Sequence, residues 1–237
     1  MDLTWPRYKD ENMRISIILI ACLSMFACKA QKEAATETAA SSVESLSLGS
    51  EEDQVKQCFD GYKSSILNDN GEEAVKYVDQ RTITYYTEIL KRTLDSDSTE
   101  VEELNIMDKL MVFSMRHRTS KEELLGFDGK TLLVYAIKEG MVGKNSVSNI
   151  ELGEVTIDKA FAQGQVVSNG MAAPVYFHFY KEANEWKIDL TSIFPMGIMA
   201  FKGMADESGM EENEYLFMLL ELITGEAPSD KVWDTIK

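Results

Sequence analysis

VYFHFYKEANEWKIDLT, Val175–Thr191, decides the fold class of this chain. Val175, Phe177 and Phe179 alternate with Tyr176, His178 and Tyr180, and beyond a polar break at Glu182–Glu185, Trp186, Ile188 and Leu190 alternate with Lys187, Asp189 and Thr191. Period two on both sides of a short break predicts a two-stranded antiparallel hairpin with one apolar face. An even loop count sets Lys181 opposite Trp186, Phe179 opposite Ile188 and Phe177 opposite Leu190, pairing apolar with apolar. The same register sets His178 opposite Asp189, Tyr180 opposite Lys187 and Tyr176 opposite Thr191.

Upstream of the hairpin, Val147, Ile150, Leu152, Val155 and Ile157, with Gly153 among them, predict a long strand with a bulge or kink, followed by a second strand over Lys159–Val167. Turns fall at Asp158-Lys159 and Ser168-Asn169-Gly170, so Met171–Lys181 and Trp186–Ile193 complete a four-stranded antiparallel meander.

The residues before the sheet read as helices. Val55, Cys58, Phe59, Tyr62 and Ile66 share one helical face after the acids Glu51–Asp53. A second short helix carries Ala74, Val75 and Val78, and a third from about Thr82 to Leu94 carries Ile83, Tyr86, Leu90 and Leu94. A fourth, about Glu100–Met115, places Leu104, Met107, Leu110, Met111 and Ser114 together. Its end bears Arg116-His117-Arg118, which reads either as an anion site or, preferably, as cations at a helix carboxyl end. Ser120 with Glu123 forms a capping-box pattern for a turn of helix through Leu125. Asp128 can cap a helix over Lys130–Glu139 with Gly140 as its left-handed stop, although Thr131–Ile137 also suits a strand.

Helices followed by a run of long antiparallel strands that ends in WKIDL resemble the NTF2-like superfamily and its SnoaL-like members over Gln54–Pro195. The resemblance implies an α+β fold in which a curved sheet of about four strands wraps a long amino-terminal helix into a cone with an internal cavity. Family enzymes carry an acid/base pair inside the cone, but no such set matches this sequence position by position, and many members bind without catalysis. The tail, residues 196–237, extends beyond a minimal domain: Met196, Met199, Phe201 and Met204 read as one helix, and Leu216, Leu219, Leu220 and Ile223 as another stopped by Gly225. Ser229–Ile236 adds a last turn with Trp233. Such an appendage is placed to close an open end of the cone.

The amino-terminal segment reads as an address. One arginine, Arg14, precedes an apolar run from Ile15 to Ala27 that ends in Cys28. The run is shorter than the roughly 20 residues of a membrane-spanning helix and suits a secretory signal. Ala27-Cys28 resembles the lipobox of bacterial lipoproteins, whose cysteine carries lipid in the mature chain. Leu19-Ile20-Ala21-Cys22 matches that box more literally but leaves too short an apolar region before it. Met1–Asn12 then reads as an upstream extension, with Met13 competing with Met1 as the start, and residues 28–53, rich in Ala, Ser, Thr and Glu and free of aromatics, read as a flexible tether. The alternative is a buried helix over Ile15–Ala27 in a cytosolic protein, which the polar tract after it argues against.

Charge and cysteine content narrow the partners. With 24 basic and 40 acidic residues the net charge is −16, which repels nucleic-acid phosphate. The first 27 residues carry three basic and three acidic residues, so the acidity belongs to the body of the chain. Outside the address only Cys58 remains, so no intrachain disulfide is expected there, and its place on an apolar helix face reads as a buried thiol. The 13 methionines show no Met-x-Met run beside histidine, so no metal or other cofactor is expected.

Two site readings follow from the hairpin. A carboxylate beside an imidazole is the arrangement of a general base, which makes His178 and Asp189 candidate catalytic residues. Their register, however, places them on the outer face, where Tyr176, His178 and Tyr180 read as an aromatic patch for self-association or a protein partner. The expected function is therefore a non-catalytic binding or interaction module of the bacterial cell envelope. It would be anchored through lipid on Cys28 to the outer or inner membrane, with the domain in the periplasm or at the cell surface. An apolar cone would also admit an apolar small ligand. The competing expectation is a small-molecule enzyme of the hydrolase, isomerase or dehydratase kind, with the cone as its active site.

Overall fold

The structure is a computed structural model that describes residues 49–142 and 144–237. The signal-like segment, the lipidation candidate Cys28 and the tether up to residue 48 lie outside the described residues. Among these there are nine α-helices and one four-stranded sheet, an α+β arrangement with helices before and after the sheet.

Helix α1, Glu51–Leu67, starts at Ser50, whose side chain accepts from the Asp53 amide while the Asp53 carboxylate receives the Ser50 amide. The acids Glu51, Glu52 and Asp53, expected ahead of the helix, form its first turn, where the positive end of the helix dipole favours them. Val55, Cys58, Phe59, Tyr62 and Ile66 are all buried, as their spacing requires. A single turn, α2 (Gly71–Ala74), and a longer helix, α3 (Gln80–Asp95), follow, the latter capped by Asp79.

The helix expected over Glu100–Met115 is two helices. Asp97 caps α4 (Ser98–Glu102), and Asn105 caps α5 (Ile106–Arg118) by accepting from the Met107 and Asp108 amides at 3.1 Å each. The break rotates the buried face onto Ile106, Lys109, Val112, Phe113 and Met115, leaving Leu104, Met107, Leu110, Met111 and Ser114 half-buried. Ser120 and Glu123 form the expected box at the start of α6 (Lys121–Gly126). Asp128 caps α7 (Gly129–Lys138) through the Thr131 amide, which settles this segment as helix, and Gly140 beyond it has φ +68°.

The sheet runs in the order β1 (Ile150–Asp158), β2 (Phe161–Ser168), β3 (Met171–Glu182), β4 (Glu185–Asp189), every pair antiparallel. The register of β1 slips between Leu152 and Val155, at the glycine that marked a bulge. Across the hairpin His178 pairs with Asp189, Phe179 with Ile188, Tyr180 with Lys187 and Lys181 with Trp186. The turn is two residues, Ala183 and Asn184, both at positive φ, the geometry that matches the twist of a tight hairpin.

Strand β4 ends four residues earlier than expected. Asp189 caps a 3-10 turn over Leu190–Ile193, so the Phe177–Leu190 and Tyr176–Thr191 pairs do not form. Two side chains take up the released backbone: the Thr82 hydroxyl accepts from the Leu190 amide at 3.0 Å, and Ser192 accepts from the His178 amide at 3.2 Å.

The sheet is open, with β1 at one edge and β4 at the other. Helix α1 lies against β1 and β4, and α3 packs on α7. Phe59, Tyr86, Leu133, Phe177, Phe179, Trp186 and Ile188 belong to the resulting core. The last two helices, α8 (Phe194–Ser208) and α9 (Glu212–Thr224), do not join it. Ala205, Tyr215, Leu216, Leu219 and Leu220 share a second core with Val101, Ile106, Val112 and Phe113, and with Val232 of the final 3-10 turn. Helix α5 therefore serves both cores, giving Met115 to the first and Val112 and Phe113 to the second.

Candidate interaction face

The two site residues offered as a dyad are neighbours without being partners. The Asp189 carboxylate is buried, and its Oδ1 accepts from the Thr191 amide at 2.9 Å and the Thr191 hydroxyl at 2.6 Å. The His178 ring instead meets the edge of Phe161, with centroids 5.2 Å apart and planes at 76°. Asp189 works as a cap and His178 as an aromatic surface, so the hydrogen bond that would orient a general base is not made.

The outer face itself is aromatic at its centre. Tyr176 is 43% exposed, while His178, Tyr180 and Phe161 are half-buried. Phe161 touches both His178 and Tyr180, its centroid 5.2 Å from each ring. The pairings of Gln165 with Tyr176, Gln163 with His178 and Thr156 with Gln163 add neutral polar residues to the same face, and that of Asp158 with Phe161 adds an exposed carboxylate at its border. Lys187, which pairs with Tyr180, sends its ammonium to the Lys76 carbonyl at 2.6 Å and to Glu185 at 2.7 Å.

Arg81 borders this face and was not legible in the sequence. Its guanidinium carbon lies 3.5 Å from the centre of the Tyr180 ring, a cation–π contact. Backbone bonds from the Ile188 amide to the Tyr77 carbonyl and from the Asp79 amide to the Ile188 carbonyl hold the start of α3 on the β4 edge. Fully buried Asp79 then divides its oxygens between the Thr82 amide, at 2.9 Å, and Arg81, at 3.0 Å. That hydrogen bond raises the Arg81 pKa, with Tyr180 and Asp189 adding to it. The pattern Asp79-x-x-Thr82 signals a helix start, but nothing local says that its first turn reaches Tyr180. Beside it, Gln80, Arg81, Thr84 and Glu182 line an open cleft of about 520 Å³, where Glu182 accepts from the Gln80 amide at 3.0 Å.

The basic cluster at the end of α5 is structural. Arg116 donates to the carbonyls of Thr93, Val232, Arg92 and Ser96, at 2.7–3.3 Å, and Arg118 to that of Glu139. His117 lies 3.3 Å from the Thr224 hydroxyl. The cations thus serve helix carboxyl ends, chiefly that of α3 and not their own. Cys58 is buried beside the Tyr77 carbonyl, and burial pushes its thiol up to about 12. Among the described residues no group of three or more His, Cys, Asp or Glu is placed to hold a metal ion, and no helix is long and apolar enough to cross a membrane.

No family model, curated protein or solved structure matches this chain. The site must be read from its own chemistry, and that chemistry is an aromatic, hydrogen-bonding surface bordered by one stacked arginine.

Proposed function

We propose that this chain is a lipid-tethered module of the bacterial cell envelope that associates with a second copy of itself through the outer face of its β3–β4 hairpin. The reading includes an NTF2-like domain, anchorage through Cys28, and no reaction of its own. One observation carries it: Phe161, Tyr176, His178 and Tyr180 share the outer face, with the Phe161 ring against those of His178 and Tyr180 and Arg81 stacked on Tyr180, an aromatic patch of the kind that interfaces bury. Tyrosine brings a large apolar body and a hydroxyl that accepts a partner's hydrogen bond, which suits a surface that must also be stable alone. Helices ahead of an open antiparallel sheet, with α1 packed on β1 and β4, support the NTF2-like reading. The apolar run that ends at Cys28 and the polar tract behind it support the anchor and the envelope location, on either membrane.

The test uses membranes of the native cell. Mass spectrometry of the isolated chain should find a diacyl or triacyl group on Cys28, whereas an uncleaved, unmodified chain in the cytosol overturns the address. A Tyr176→Cys chain treated in those membranes with a short bis-maleimide should give a covalent dimer, and Met199→Cys, exposed on α8, should give far less. Equal yields at the two positions, or loss of neither dimer with His178→Ala and Tyr180→Ala, overturn the hairpin interface.

A further inference from the structure

A second surface, at the carboxyl-terminal helices, has a different character. From Phe194 to Ala205, α8 contains a single charged residue, Lys202, yet only Ala205 of the whole helix is buried. Met199 is 68% exposed. On α9, Met218 and Leu222 stand one turn apart at 38% and 43% exposure, Ile223 follows at 44%, and Met210 lies exposed between the two helices. Five of the eight large apolar side chains exposed among the described residues thus fall in one pair of packed helices and the turn that joins them. Isolated exposed apolar residues are ordinary, but this concentration marks a docking surface.

Charge selects what docks. From Gly203 to Asp230 the chain carries eight carboxylates and no Lys, Arg or His. On α9, Glu214 and Glu221, seven residues apart, lie on one side of the Met218–Leu222 stripe, so acids border it along its length. The lysine that reaches this helix, Lys109, is 2% exposed and already bound to Glu212 at 2.9 Å and Glu102 at 3.4 Å. A second copy would bring the same acids to the contact, and an anionic lipid surface would add its own negative charge. Both are repelled.

We propose that α8 and α9 dock a cationic amphipathic helix of a partner protein. Its apolar residues, spaced at i, i+3, i+4 and i+7, cover Met199, Met218 and Leu222, and its flanking Lys and Arg residues meet Glu214 and Glu221. Methionine suits this use, because its unbranched thioether adapts to different apolar shapes. The surface is separate from the hairpin face, so the two proposals stand or fall independently.

The experiment titrates the full chain with a synthetic helical peptide of Leu and Lys in that amphipathic order, and with a scrambled peptide of the same composition. The ordered peptide should bind, and Met218→Asn with Leu222→Asn should weaken it roughly tenfold, the loss of about 1.4 kcal/mol. Glu214→Gln with Glu221→Gln should weaken it and flatten its salt dependence. Glu151→Gln with Glu154→Gln, which removes equal charge from β1, should leave it unchanged. Met218→Leu, which keeps the apolar surface, should retain binding and controls for folding. Equal binding of the scrambled peptide, no binding of either peptide, indifference to the α9 substitutions, or equal loss from β1 each overturns the proposal. A dimer of the full chain that Leu222→Asn dissociates assigns the surface to a second copy and also overturns it.

Discussion

His178 and Asp189 face one another across β3 and β4, and the carboxylate nevertheless spends one oxygen on both the amide and the hydroxyl of Thr191. This cap ends β4 and starts the 3-10 turn that leads into α8. Asp189→Ala should cost about 1–2 kcal/mol, the range of a lost cap. His178→Ala should act separately, so a double-mutant cycle between them should give a coupling below about 0.5 kcal/mol. Chemical denaturation of the four proteins measures it. A coupling of several times that size would mean that imidazole and carboxylate bind each other after all.

Arg116 holds together parts of the chain that are far apart in sequence. Its guanidinium binds the carbonyls of Arg92, Thr93 and Ser96 at the end of α3 and that of Val232 in the final turn, where the Ile236 and Lys237 amides also bond the Leu94 carbonyl. Arg116→Ala strands several carbonyls in a partly buried place, each costing about 1–3 kcal/mol if water does not replace the donor. Arg116→Lys should recover only part of the loss, because an ammonium lacks the planar five-donor fork. Hydrogen exchange should show the amides of residues 232–237 opening first in both variants, and unchanged protection there would contradict the assignment.

These two residues also mark how far the sequence could be read. The hairpin register was legible because period two admits one pairing that keeps Phe179, Ile188 and Trp186 on a common face. The end of β4 was not, because Asp-Leu-Thr continues the alternation, and only Thr82, more than a hundred residues earlier, accepts the Leu190 amide. Likewise LNIMDKLM conceals a break at Asn105 within an unbroken apolar rhythm, and α5 has no single buried face because it packs into two cores. The outer-face tyrosines and histidine were readable from alternation, whereas Arg81 reaches Tyr180 only through the contact of residues 77–79 with β4.

Close helix packing gives a third prediction. A Cβ on Gly129, the first residue of α7, would lie 2.2 Å from the Thr87 hydroxyl oxygen and 2.6 Å from the Ile83 carbonyl oxygen of α3. The carbonyl belongs to helix backbone and has little room to move, so Gly129→Ala should destabilise by about 1–3 kcal/mol through overpacking. Gly126, at the end of α6, has nothing within 4 Å of the same position. Gly126→Ala should be neutral or stabilise by up to about 1 kcal/mol through the less flexible unfolded chain. Thermal melts of the two variants should therefore move in opposite directions or differ clearly in size.

The buried acids of weak acidity set the alkaline limit. Burial raises Cys58 from its ordinary 9.0 to about 12 and raises Tyr62 and Tyr86 above their ordinary 10.0. Tyr85 also rises, first through burial and then through its hydrogen bond to Asp108, 2.6 Å long. Each group holds its proton more tightly folded than unfolded, so folding takes up protons at high pH. Their contribution is fully present below the unfolded values and is lost as pH rises from there through the folded ones. The denaturant midpoint should therefore fall from about pH 9 upward, and absorbance should show these three tyrosines ionising only with unfolding. The same burial predicts that Cys58 resists iodoacetamide at about pH 8 in the native protein and reacts fully in denaturant, since the thiolate is the nucleophile. Rapid native alkylation of Cys58, or ionisation of Tyr62, Tyr85 and Tyr86 ahead of unfolding, would show that α1 and α3 do not seal the core that these side chains share.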